Sequence, residues 1–499
     1  MTIINSHRNS ETNNVEAWQW LFFILLQIFN LYQIYNHVMW RDELQAWSLV
    51  CESRSIQELL HNMRYEGFPS LWYVLLWPLS LVSVSPLVMQ LFHFTCSLLA
   101  QSIVMLRAPF SGNIRLAIVA GYYISFEYCI ISRAYVLGVL IVFVYCAFLS
   151  WMTDHPVVKG ATLGLLANTS VYGAMMSLLF VADHFFEAFI QKDRILNEKR
   201  SNSVKFALFA VPYVFLFSAA LKVALPPPDG DYAAGLIQTT LYRKFFLICK
   251  NLVSMVPVPS PRIDFWNTLV VLDNGLWLTI AVSLVVVAAI WVALRGTPRY
   301  LMLFIAGFTG IWLFSVIKYV GYLRHAGGTL MVLFIACLWL AAKYNQERKI
   351  VYSRFSDYAV WIIFGLNLIA FSMASFYHLQ RQFSGSLEMA QYIRNNINNS
   401  QSIVSDSDFT TSPVAGYLGR PFYFTASGRL QTYIRWNRDR TGGGLPDALH
   451  IASTLVSKKA GIIYLLLNYP TETSETKLLY RTGTAILTDE VFYLYQYVP

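Results

Sequence analysis

The sequence predicts an all-α polytopic membrane protein of about eleven transmembrane helices, carrying a small C-terminal α/β domain outside the membrane. Three observations predict it. The chain is 56% hydrophobic and only 13% charged. Apolar, aromatic-rich runs recur from residue 18 to about 377, many near the roughly 20 residues a helix needs to cross a bilayer. From residue 378 onward those runs stop and shorter helix-like and strand-like pieces alternate. The expected organisation is a membrane domain over 1–377, with long loops at 37–86 and 222–272, followed by a soluble domain over 378–499.

Spans are expected near 18–36, 87–106, 115–132, 135–152, 206–225, 274–294, 300–317, 327–342 and 357–377. Residues 70–83 are apolar but number only fourteen around Pro78, and read as a re-entrant or interfacial helix. Residues 160–190 are too long for one comfortable helix and are interrupted at Asn168-Thr169-Ser170-Val171-Tyr172-Gly173, so two shorter helices are expected there. With these choices the loops 107–115, 153–159, 191–205, 295–299 and 343–354 share one side and hold 14 Lys and Arg in 48 residues, against 8 in 101 for the two long loops. That asymmetry predicts a cytoplasmic N-terminus and an external tail. In the tail, helices are expected at 387–397 and 446–458, and strands at 402–405, 421–425, 461–467 and 491–497.

The formal charge of +9 lies in short loops rather than in one stripe, so no nucleic-acid partner is expected. The six cysteines have no CxxC spacing, and no P-loop, GxGxxG or HExxH motif occurs. No cofactor and no tightly held metal is expected, with a loosely bound divalent ion at Asp42 and Glu43 left open.

The distinctive polar residues fall at one depth, at the outer ends of spans: Asp42-Glu43, Glu66 in Tyr65-Glu66-Gly67-Phe68-Pro69, Glu127, Arg133 and Tyr135, and Lys318, Arg324 and His325. A carboxylate beside a bilayer is suited to take the proton of an attacking hydroxyl, and Asp42 is the first choice for that base. The blander readings of Asp42 are a salt bridge to Arg41 or an N-cap of a helix beginning at Glu43. Glu43 reads as an orienter of Asp42 or of an acceptor, or as a solvated charge; Glu66 has the same blander reading, opposed by its rigid Gly67/Pro69 setting. Arg133, between two apolar helices, would cost about 2.5–3.5 kcal/mol at mid-membrane depth and needs a partner, either Glu127 or a lipid phosphate. Lys318, Arg324 and His325 read as a basic turn for a phosphate leaving group, or as headgroup anchors. The stretch 241–250 reads as a lid or as a packing helix, and 435–440 as a glycan contact or as a surface turn.

On these motifs, taken in order, the chain resembles the GT-C superfamily of polyprenyl-phosphate-sugar-dependent glycosyltransferases, which includes the protein mannosyltransferases and the aminoarabinose transferase of lipid A. The resemblance covers roughly residues 18–345. It implies a polyprenyl-phosphate sugar donor, a glycan, lipid or protein acceptor, membrane lipids as surroundings, and a bacterial inner-membrane protein with its tail in the periplasm. It implies Asp42 as base, with Glu43 and Glu66 beside it, and Arg133, Tyr135, Lys318, Arg324 and His325 around the lipid phosphate. Many relatives have His where this chain has Phe68, so no imidazole role is carried to that position. The alternative is a non-enzymatic carrier or flippase for a lipid-linked saccharide, which would place polar groups at the midplane and often shows repeated halves; neither is visible here.

Overall fold

The computed structural model describes residues 15–190, 199–231, 239–348, 354–441, 443–457 and 461–498. The polar segment 1–14, Tyr232, residues 191–198 of the loop 191–205 and residues 349–353 of the loop 343–354 lie outside the described residues.

Among the described residues, eight helices are long and apolar enough to cross a membrane. They lie within Ala17–Asn36, Leu87–Arg107, Tyr135–Asp154, Lys199–Ala224, Leu276–Leu294, Pro298–Ile317, Leu323–Arg348 and Arg354–Gln380. Most are half covered, with bare Leu, Ile and Phe on the outward face, as lipid-facing helices are. Leu323–Arg348 is apolar all round along its span and is buried throughout it, at the centre of the bundle.

The expected spans at 115–132 and 160–190 are built differently from continuous helices. The first is a correction: a helix Gly112–Val119 stops at Ala120, and after Gly121 the chain makes a wide π-type turn, Tyr122–Glu127. The reason lies in its polar side chains. Tyr123 reaches the Ser254 carbonyl, Glu127 reaches Trp266 and Tyr128 reaches the Arg324 carbonyl, three directions that one regular helix would not serve. The break is tolerated because nearly every residue of it is enclosed by protein rather than lipid. The second is a pair, Pro156–Ala167 and Val171–Ile190, turning at Asn168-Thr169-Ser170. Leu71–Val82 is a 12-residue helix with Pro78 inside it, too short to span alone.

The loop 37–86 carries the helix Arg41–Glu52 and folds over its own apolar core of Leu44, Trp47, Val50, Leu59, Trp72 and Leu76, to which the tail contributes Tyr433. The tail is a small sheet domain. Its strands are β1 (Ser402–Ser405), β2 (Phe422–Phe424), β3 (Arg429–Gln431), β4 (Ile463–Leu467), β5 (Thr476–Arg481) and β6 (Tyr493–Tyr497), ordered β3-β2-β1-β4-β6-β5. β1 runs parallel to both β2 and β4, and the outer pairings are antiparallel. Alternation along the strands splits the core: Ile403, Phe422, Phe424 and Leu466 face the helices Ser386–Asn396 and Asp408–Leu418, while Val404, Leu465 and Leu467 face Leu445–Ser457. The sequence reading missed β3, β5 and Asp408–Leu418. The last contains Thr410, Thr411, Ser412 and Pro413, poor helix formers, and is held by a Ser407 cap and a left-handed Gly419.

Candidate active site

The helix that carries Asp42 begins two residues earlier than expected, at Arg41, so Asp42 lies in its first turn and is not the cap. Arg41 turns toward the soluble domain and pairs with Asp489 and Glu490. Asp42 faces the membrane domain instead. Its Oδ2 pairs with Arg133 Nη1 at 2.9 Å and with Arg324 Nη2 at 3.1 Å, and Arg133 Nη1 also donates to the Asp42 carbonyl at 2.9 Å. Three of the residues singled out in the sequence thus meet at one point, and of the two partners considered for Arg133, Glu127 is not the one it meets. Glu127 accepts instead from the Tyr122 hydroxyl at 2.9 Å and Trp266 Nε1 at 3.0 Å.

Local geometry explains the meeting. Gly327 and Gly328 follow Arg324 on the central helix, and a Cβ on either would lie 2.0–2.3 Å from the Tyr128 or Tyr123 hydroxyl or the Ser254 carbonyl. Only bare backbone lets this helix approach the π-type turn so closely. Arg324 is 2% exposed, within 5.1–5.3 Å of the ring centres of Trp40, Trp266 and Tyr322. Its Nε and Nη1 have no hydrogen-bond partner among the described residues, whereas Nη2 serves Asp42. The buried Tyr135 hydroxyl faces that guanidinium. A planar donor fork with two unused, desolvated N–H directions is suited to a phosphate.

The other predicted residues divide. Glu43 is not a solvated charge: it is fully buried, its Oε1 accepting from the Ser132 amide at 2.5 Å and its Oε2 from the Trp40 amide and His37 Nε2. It ties the Asp42 segment to the residue before Arg133, an orienting placement. The carboxylates of Asp42 and Glu43 have different partners, with two guanidiniums on Asp42. Lys318, Arg324 and His325 do not form one basic cluster. Lys318 is exposed at the end of Pro298–Ile317, while His325 is enclosed by Tyr135, Tyr172 and Tyr319 and accepts the Tyr322 amide at Nδ1. The aromatic walls Trp40 and Trp266 were missed, since single tryptophans in loops give no signal. In the segment 435–440, Arg440 pairs with Asp408 and Asp231, stapling the loop after Pro228 to the soluble domain. Helix Leu241–Val253 packs by its C-terminal half and leaves Leu241, Tyr242 and Phe245 bare.

Glu66 is held in a turn that needs Gly67 at φ +65°, which also sets Phe68 under Arg133 at 5.6 Å. Gln45 Nε2 donates to Glu66 Oε1 at 2.7 Å and the Tyr73 hydroxyl to Oε2 at 3.2 Å. Burial pushes this carboxyl up from 4.5 to about 7. The folded protein therefore binds this proton more tightly than the unfolded chain, so stability falls as pH rises from about 4.5 to about 7. Glu66→Gln is expected to flatten that part of the thermal-unfolding profile in detergent between pH 5 and 8. An unchanged slope means that Glu66 is ionised throughout.

The arrangement is that of a helical membrane protein whose carboxylate, gripped by two arginines, lies beneath a soluble domain, and solved structures share its fold. Two solved structures carry it, those of ArnT from Cupriavidus metallidurans in the apo state (TM-score 0.53) and bound to undecaprenyl phosphate (TM-score 0.51), each 12% identical and covering 96% of this chain and 98% of theirs. No family model and no curated protein matches the sequence.

Proposed function

We propose that this chain is an integral-membrane glycosyltransferase that moves a sugar from a polyprenyl-phosphate carrier to an acceptor at the face covered by its soluble domain. The observation that carries this reading is the Asp42–Arg133–Arg324 cluster with its unused Arg324 donors. The solved structure of the same fold with undecaprenyl phosphate supports the choice of carrier. As the donor phosphate draws the Arg324 fork from Asp42 Oδ2, the carboxylate keeps only Arg133 as partner and becomes the stronger base toward the acceptor. The acceptor oxygen then bonds to the sugar C1, its proton passes to Asp42, and the C1–O electrons leave with the lipid phosphate, whose charge Arg324 and Arg133 neutralise. Phe68, Trp40 and Trp266 exclude water from the arginines and strengthen that neutralisation.

The decisive test offers purified protein a panel of polyprenyl-phosphate sugars with glycan, lipid and peptide acceptors. The expected result is a glycosylated acceptor and free polyprenyl phosphate. Transbilayer movement of intact donor with no bond cleavage makes the chain a carrier instead. We place the protein in a bacterial inner membrane with the soluble domain periplasmic. Cysteines at the exposed Ser474 and Asp154 should then label from the outside and the cytoplasm, respectively. Labelling of both from one side removes this topology.

A further inference from the structure

The structure assigns Glu490, near the far end of the chain, as the positioning residue that sets the Asp42 helix, with Arg41 as its partner; this rests on the glycosyl-transfer reading of Asp42. The first N–H groups of any helix lack acceptors within it, and a side-chain oxygen just before the helix normally supplies one. Here the preceding residue is Trp40, which has none. Glu490 Oε1, 449 residues away in sequence, fills the place, accepting the Arg41 amide at 3.2 Å and Arg41 Nη1 at 3.1 Å. A carboxylate at this end of a helix is also favoured by the helix dipole. Within the helix, Glu43 closes back onto the Trp40 amide, so the turn bearing Asp42 is locked from both sides.

The pair is fully buried on the Glu490 side and 9% exposed on the Arg41 side, with Arg41 Nε unpartnered among the described residues. Burying two charges so incompletely satisfied returns little net stability compared with apolar packing. What such a pair provides is register, because it closes in one geometry only. Two further contacts bracket Asp42 from the same domain. The Tyr417 hydroxyl accepts the Met39 amide at 2.8 Å and Ser386 Oγ donates to the Met39 carbonyl at 3.0 Å. One turn beyond Asp42, Gln45 exchanges hydrogen bonds of 2.7 and 2.8 Å with the Ile434 backbone while also holding Glu66. The soluble domain thus grips the catalytic segment at 39, 41 and 45 without touching the carboxylate itself. Its work is to hold Asp42 in line with the two arginines, and a displacement near 1 Å there costs on the order of a hundredfold in rate.

The test uses the full-length protein in detergent. Glu490→Ala is expected to lower kcat tenfold to a hundredfold while KM for the donor and the affinity for undecaprenyl phosphate stay within threefold. Glu490→Gln, which keeps the acceptor oxygen, should recover part of the loss. Adding Arg41→Ala to Glu490→Ala should cost little more than either change alone. Independently of activity, deuterium uptake by the amides of 40–44 should rise in Glu490→Ala. Wild-type uptake together with wild-type kcat overturns the assignment, as does a loss confined to KM. If Glu490→Ala does not fold, Glu490→Gln and Arg41→Lys decide: full kcat in both overturns it. Absence of transfer by the wild-type protein from every donor sinks the glycosyl-transfer reading instead, and the exchange experiment still reports on the grip.

Discussion

Asp42→Asn is expected to lower kcat about a thousandfold while leaving undecaprenyl phosphate binding intact or tightened. The change is nearly isosteric. It keeps one oxygen for Arg133 or Arg324 but removes the group that takes the acceptor's proton, a contribution typically worth about 10²–10⁴ in rate. Binding should not suffer, because Arg133 and Arg324 lose their counter-charge and an incoming phosphate is then their best partner. The two readouts are single-turnover transfer from a saturating donor and equilibrium binding of undecaprenyl phosphate. Turnover within tenfold of wild type would pass the role of base to Glu66, the other carboxyl beside the cluster. Loss of folding would make Asp42 chiefly a brace between two buried arginines.

Arg324→Ala is expected to weaken donor binding and to reduce kcat/KM tenfold to a hundredfold. A hydrogen bond to a charged group is typically worth about 1.5–3 kcal/mol, and this guanidinium is buried among aromatic rings where water does not compete. Arg324→Lys should recover part of the loss, since the charge survives and the planar fork does not. Because Arg324 is 2% exposed and packs against both Trp40 and Trp266, thermal unfolding must be followed alongside the kinetics. Unchanged kinetics with a lowered unfolding temperature would falsify the phosphate role and leave Arg133, the other guanidinium on Asp42 Oδ2, as the remaining candidate.

Much of the candidate site was legible as residue types at one depth. An acidic pair after the first apolar helix, an arginine between two apolar segments and an Arg-His pair at the start of the central helix are each unusual enough in such a chain to stand out. Their partners were not legible. Glu127 looked the natural mate for Arg133 because the two lie in one apolar run, yet the π-type turn sends Glu127 to Trp266 and leaves Arg133 to Asp42. Arg324 and His325 are adjacent in sequence, but on a helix adjacent side chains diverge by about 100°. One therefore reaches Asp42 and the other enters a tyrosine cage.

The sequence by itself determined the membrane class, most of the helices and the strands β1, β2, β4 and β6, because hydropathy and its period are local properties of twenty residues or fewer. It also determined which charged residues would need partners. Only the tertiary structure decided what those partners are. The pairing of Asp42 with residues 91 and 282 positions away depends on a broken helix and on two glycines that let the central helix close on it. The capping of the Asp42 helix by Glu490 depends on how an entire second domain is seated. Side-chain direction at a buried charge is set by the packing of elements remote in sequence, and no local pattern encodes it.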